Sequence, residues 1–175
     1  TYCVGPTCSP SRAGLLTGTY PHQNGMLGLA QRGFSLAKPE NHLANFLKNN
    51  GYTTCLSGIQ HEYGWYLDLE ENGLHDLGYE NILTTSSKEF VKEDLHIWDR
   101  DNAMEVVKWL DNYDKEKPFF IAYGMHSTHR PYPIRYWINR WKICENLFSL
   151  LPIMKENRHD HAQFMTTALL CWWKY

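Results

Sequence analysis

Apolar side chains are distributed along this chain in two rhythms, short dense runs and helix-spaced stripes. Residues 53–56 predict a strand leading into Ser57-Gly58, and the apolar run 118–123 predicts a buried strand. Ala103, Val106, Val107 and Leu110 share one helical face and predict a helix over 101–113. Leu43, Phe46 and Leu47 do the same for 40–49, with Pro39 in the first turn and Asn50-Gly51 as the stop. A short helix is expected from about residues 9–11 to Leu16, opened by Ser and Pro and closed near Gly18. Residues 2–4 read as the end of a strand, ahead of the loop Gly5-Pro6-Thr7. Residues 62–98 mix Gly, Asn, Asp and aromatics, which predicts loops with short elements.

Strands alternating with helices across long connections predict an α/β fold with a mostly parallel sheet flanked by helices. Active sites in such sheets collect beyond the carboxyl ends of the strands. Cys8, His61 and His129 each follow a predicted strand, so the topology draws them towards one edge.

The texture changes after Ile134. Residues 135–155 cluster Trp, Arg and Lys without periodicity, 156–170 look helical, and the tail Cys171-Trp172-Trp173-Lys174-Tyr175 is again irregular. Two readings stand: an aromatic-rich binding segment, or a damaged or frame-shifted stretch, the second being favoured. The first residue is Thr1, close to a motif and without Met, which reads as a fragment whose start lies upstream.

Charge and cysteine content narrow the field. A net charge of -2 over 175 residues gives no basic excess for nucleic acid. No apolar run approaches the roughly 20 residues that cross a membrane. Five cysteines, at positions 3, 8, 55, 144 and 171, make no Cys-x-x-Cys pair, which argues against a structural zinc site. Nine histidines suit proton or metal chemistry.

The most informative segment is Cys8-Ser9-Pro10-Ser11-Arg12-Ala13-Gly14-Leu15-Leu16-Thr17-Gly18, followed by Tyr20-Pro21-His22-Gln23-Asn24-Gly25. A cysteine at the mouth of a helix lies near unpaired N–H groups and the positive dipole end, a position that suits an anion. The segment resembles the signature of the formylglycine-dependent sulfatases, Cys-x-Pro-x-Arg followed by Leu-Thr-Gly, and its usual continuation. The resemblance implies an alkaline-phosphatase-like α/β fold, present here incompletely. It also implies that a formylglycine-generating enzyme converts Cys8 to an aldehyde. Hydrated, that aldehyde attacks sulfur with one hydroxyl, and the other then helps to expel sulfate, so one hard step becomes two. Arg12, one turn on, would hold the diol.

Two further blocks carry the resemblance. Gly58-Ile59-Gln60-His61 is similar to the family's Gly-Lys-x-His, with His61 matching and Ile59 standing where the lysine is expected. His61 would contact sulfate or diol, and Gln60 would offer a neutral hydrogen bond to the substrate. The buried run ending in His126-Ser127-Thr128-His129-Arg130-Pro131 resembles the family's His-x-x-His-x-Pro. His129 matches the residue that protonates the leaving oxygen, work suited to an imidazole near neutral pH. His126 would assist or bind substrate, Arg130 is a substrate contact or a surface charge, and His126 with His129 also reads as a chelating pair.

The family holds one divalent cation, usually Ca2+, in hard oxygen ligands. Its Asp-Asp pair upstream of the cysteine and its Asp-Asn or Asp-His pair downstream are not recognisable here, so only Cys8, as formylglycine, would touch the metal. Residues 1–134 are accordingly expected to be the N-terminal part of a sulfatase catalytic domain, with 135–175 its continuation and the isolated chain inactive. The expected substrate is a sulfate ester or sulfamate, on a sulfated carbohydrate. Alternatives are a phosphodiester or phosphonate monoester hydrolase using the same cysteine, a non-catalytic module for sulfated glycans, and a degenerate fragment. Family analogy points to periplasm, lysosome or the cell exterior.

Overall fold

The computed structural model describes residues 2–63, 71–85, 95–113, 116–126 and 129. Three parallel strands form its sheet: β1 (Thr53–Gly58), β2 (Asn81–Ile82) and β3 (Phe119–Gly124), in the order β2-β1-β3. β1 pairs with β3 along its whole length, from Thr53 with Phe119 to Gly58 with Gly124. Cys55 and Leu56 pair with Asn81 and Ile82 on the other side. β1 is the central strand and is covered on both faces, so residues 54 to 58 are all buried, small polar side chains included.

The helices are α1 (Cys8–Thr17), α2 (Pro21–Asn24), α3 (Leu43–Asn49), α4 (Glu71–Asp76) and α5 (Leu95–Asn112), with 3-10 turns at Ala30–Arg32 and Pro39–Asn41. α1 begins one residue earlier than its Ser-Pro start signal implies, so Cys8 is its first residue, and it ends as expected at Gly18, whose φ of 67° suits glycine. Ala13 packs with Met26, Ala30, Leu36, Ala44 and Leu56 in the core between helices and sheet. Ser9 is buried and its Oγ accepts from the Ala30 N–H at 3.1 Å, which ties α1 to the first 3-10 turn.

Four expectations change. The helix over 40–49 is split at His42, whose backbone is extended. His42 is fully buried and its Nδ1 accepts from the Ala44 N–H at 3.1 Å, so a histidine caps α3 while Pro39 opens a separate 3-10 turn. Phe46, assigned to the apolar face, is 60% exposed; Ala44 and Leu47 are buried instead. α5 starts six residues before 101, and its most buried residues are Trp98, Asp99 and Asn102 rather than the Val106–Val107 stripe. Two of those three are polar, which hid the inward face from a hydrophobicity pattern. Residues 2–4 form no strand: among the described residues none pairs with them, and Tyr2 is 97% exposed. The readings of 135–155, 156–170 and the tail lie outside the described residues.

Buried polar groups join α5 to the sheet. Ser57 Oγ donates to the Asn102 carbonyl at 3.1 Å, and Tyr123 Oη donates to the Asp99 carbonyl at 2.7 Å. Asn102 Oδ1 accepts from the Thr85 N–H at 2.8 Å. These bonds hold the helix at the carboxyl end of β1 and β3.

Candidate active site

Three pieces of chain converge at that carboxyl end. The first is α1, with Cys8 at its mouth and Arg12 one turn further on. Cys8 is half-buried with a free thiol. The second is the turn after β1. Gln60 folds back on this turn: its Oε1 accepts from the Glu62 and Tyr63 N–H groups at 2.7 and 2.8 Å, and its Nε2 donates to the Tyr63 carbonyl. That side-chain brace holds His61 at φ 67°, a conformation uncommon for a residue with a Cβ. The carboxamide expected to meet substrate thus shapes the turn that presents His61.

The third piece follows β3. Asp99 is fully buried on α5, and its Oδ1 accepts from the His126 N–H at 2.7 Å. The His129 N–H then donates to the His126 carbonyl at 2.7 Å, closing a turn that sets the two rings 5.7 Å apart. His126 is buried and His129 exposed.

Arg12 locks the first two pieces together. Its Nε donates to Glu62, and its Nη2 donates to the Ile59 carbonyl at 3.2 Å. Ile59 thus serves through its backbone oxygen, where the family pattern has a lysine side chain. His61 is anchored from the other side, its Nε2 lying 2.7 Å from Gln31 Oε1. An amide oxygen there selects the tautomer with hydrogen on Nε2.

The electrostatics link the same residues. Burial lowers the His61 pKa to about 4, helped by the positive Arg12 and by His129. Burial also lowers His126 to about 4, helped by His129 and opposed by a backbone hydrogen bond. Burial and Arg12 bring His42 to about 4. His61, His126 and His42 are therefore neutral near pH 7.

A pH prediction follows with a definite sign. In the unfolded chain these three histidines take up protons near pH 6.5; folded, they resist until about pH 4. Between those limits the unfolded state binds more protons, so stability falls as pH falls. Glu62 acts oppositely, because burial raises its carboxyl pKa and its contribution is lost as pH rises. Three groups against one predict a melting temperature that drops steadily from pH 6.5 to 4. Differential scanning calorimetry across that window checks this, and a flat profile would contradict the buried neutral histidines.

Of the residues expected from sequence, Arg12 is joined to the turn that carries His61, through Ile59 and Glu62, and its charge acts on His61. His129 and His126 couple to each other, and His129 couples to His61. Cys8 shares the helix of Arg12, and Arg130 lies outside the described residues. Glu62, Gln31, Asp99 and His42 were missed. Glu62 lay in view beside His61, but nothing local marks a carboxylate as buried; the others come from distant segments.

Among the described residues no three His, Cys, Asp or Glu side chains gather in a way that would hold a metal ion. The pairing of His126 with His129 gains no third ligand there. Among the described residues no helix is long and apolar enough to cross a membrane.

Residues 1–141 match the family model for sulfatases. An N-acetylglucosamine-6-O-sulfatase of Bacteroides thetaiotaomicron is 27% identical over 74% of this chain and 23% of its own length. A human N-sulphoglucosamine sulphohydrolase is 34% identical over 71% of this chain and 23% of its own. A mouse steryl-sulfatase is 37% identical over 42% of the chain and 12% of its own length. The chain thus spans about a quarter of the length of the first two. The family fold is alkaline-phosphatase-like, and the small parallel sheet with its helices is a partial version of it. The match over most of the sequence and the convergence of its motif residues at one end of that sheet place this chain in the sulfatase family.

Proposed function

We propose that this chain supplies the nucleophile, the arginine and the acid of a site that hydrolyses sulfate esters or sulfamates on sulfated carbohydrates. The observation that carries the reading is Cys8 at the first residue of α1, with Arg12 one turn on and pinned to the turn that bears His61. Residues 1–134 are read as the N-terminal part of the catalytic domain. The names of the relatives support a sulfated glucosamine as substrate class, and the steryl-sulfatases widen it to other sulfate esters.

As formylglycine, Cys8 would supply a hydrated aldehyde as nucleophile. Position favours this, because the first residue of a helix lies among unpaired N–H groups that stabilise negative charge. Arg12 would neutralise charge on the sulfuryl group with the guanidinium face left by Glu62 and Ile59. His61, neutral and with its one ring hydrogen held by Gln31, would use Nδ1 to accept a hydrogen bond from a hydroxyl of the diol. His129, exposed beside the buried neutral His126, would give its proton to the leaving oxygen. Substrate contacts by Gln60, His126 and Arg130 belong to the same proposal, Gln60 with the weakest support because its amide braces the turn.

The family implies a divalent metal, and Ca2+ is the proposed ion. The described residues do not fit a complete site for it, since Cys8 is the only proposed ligand among them. No step is assigned to it.

The test is a mass measurement. Co-expression with a formylglycine-generating enzyme should lower the mass of the Cys8 peptide by about 18 Da, the difference between thiol and aldehyde. An unchanged peptide would leave an ordinary thiol and remove the nucleophile from the proposal.

A further inference from the structure

We propose that Glu62 is the positioning residue of Arg12: it grips the guanidinium from behind and turns its remaining N–H donors to the sulfate site. The proposal deepens the sulfatase reading and rests on it. Glu62 is 1% exposed, and its Oε1 accepts from Arg12 Nε. The Arg12 side chain retains 13% exposure, so the pair is covered on the carboxylate side and open on the arginine side. A planar guanidinium gripped at Nε and held at Nη2 by the Ile59 carbonyl has one in-plane orientation left.

The surroundings of the carboxylate show that it is placed for Arg12 and not shared among competitors. Glu62 Oε2 is buried and has no hydrogen-bond partner among the described residues. His42 Nε2 and Tyr79 Oη are likewise buried and unpartnered, and their rings meet edge-on with centroids 5.5 Å apart. Arg12 acts electrostatically on all three residues, and Glu62 acts on Tyr79. Three unmet polar atoms thus lie in the buried region around Arg12. Burying them is costly unless the arrangement is needed. The grip on Arg12 supplies the need. It matters more here because Ile59 stands where the family has a lysine, leaving Arg12 as the fixed positive charge beside His61.

Positioning and simple charge predict different outcomes for sulfate binding. Removing a carboxylate beside an anion site should tighten binding if only charge matters. If Glu62 acts by holding Arg12, the result depends on whether an acceptor remains. The experiment uses the full chain, inorganic sulfate, and NMR of the arginine Nε–H groups. Glu62→Gln keeps an oxygen acceptor and should bind sulfate at least as tightly as the native chain. Glu62→Met keeps the volume, loses the acceptor, and should bind at least about fivefold more weakly. Equal affinities for the two variants would overturn the proposal.

A second measurement on the unsubstituted chain does not depend on either variant folding. The Arg12 Nε–H should exchange with water at least about tenfold more slowly than that of Arg100, whose partner Asp101 lies at the surface. Equal exchange would mean that Glu62 does not hold Arg12. A native chain that ignores sulfate would count against the sulfatase reading, while the exchange comparison would still decide on the grip itself.

Discussion

Replacing Arg12 by alanine should destabilise the fold by about 3–5 kcal/mol, the range for breaking a buried ion pair by removing one partner. The carboxylate left behind is fully inside the protein: the Glu62 side chain has no exposure, and its second oxygen already lacks a partner among the described residues. Without the guanidinium it must stay charged in a poor solvent or bind a proton. Binding a proton at pH 7 costs a carboxyl of ordinary pKa about 3 kcal/mol, which bounds the loss from the other direction. The sign with pH then follows. In the variant Glu62 has a folded pKa raised further above the unfolded value, so the missing stability grows as pH rises above about 4.5 and shrinks towards it. Urea unfolding of both chains at pH 5 and pH 7 reads this directly. A deficit below about 1 kcal/mol, or one independent of pH, would mean that the pair is not buried as described. Arg12→Leu with Glu62→Leu should recover most of the loss, since two apolar side chains leave no charge to satisfy.

Gly58→Ala should cost more than about 3 kcal/mol, from two sources. The residue sits at φ 77°, where a Cβ is strained, and that Cβ would overlap the carbonyl oxygen of Gly124. The same carbonyl accepts from the Ile59 N–H at 2.9 Å, so it cannot retreat without breaking the join between β1 and β3 at the mouth of the site. Gly33 provides the control. Its φ is 89°, yet nothing lies near the position of its Cβ, so Gly33→Ala should show only the backbone penalty of about 1–2 kcal/mol. Equal costs for the two substitutions would remove the close approach from the explanation. Hydrogen exchange at the Ile59 amide should accelerate in Gly58→Ala and stay unchanged in Gly33→Ala.

The strands and the signature helix were legible because their signals are local. β1 and β3 were expected at 53–56 and 118–123 and are found at Thr53–Gly58 and Phe119–Gly124. The apolar run of β3 marks burial without long-range information, whereas the burial of β1, with Thr, Cys and Ser along it, was not read from the sequence. The motif around Cys8 and the placement of His61 and His129 after strands were visible for the same reason. α5 was half legible: its half-buried stripe of Ala103, Val106, Val107 and Leu110 showed, but its most buried positions carry Asp99 and Asn102, and polar residues at buried positions look like surface until their partners are known.

What the sequence determined by itself, then, is the chemistry on offer: a cysteine and an arginine at the start of a helix, histidines after strands, and a parallel α/β arrangement that puts them at one end. Tertiary structure alone decided how that chemistry is held. Glu62 finds Arg12 across 50 residues, Gln31 meets His61 across 30, and Asp99 reaches the His126 backbone across 27. His42 breaks a helix because its ring is buried where it can cap one. Hydrophobic periodicity reports which face of an element is covered. It carries no record of which polar group from elsewhere will be waiting under the cover, because that pairing is set only when the elements pack.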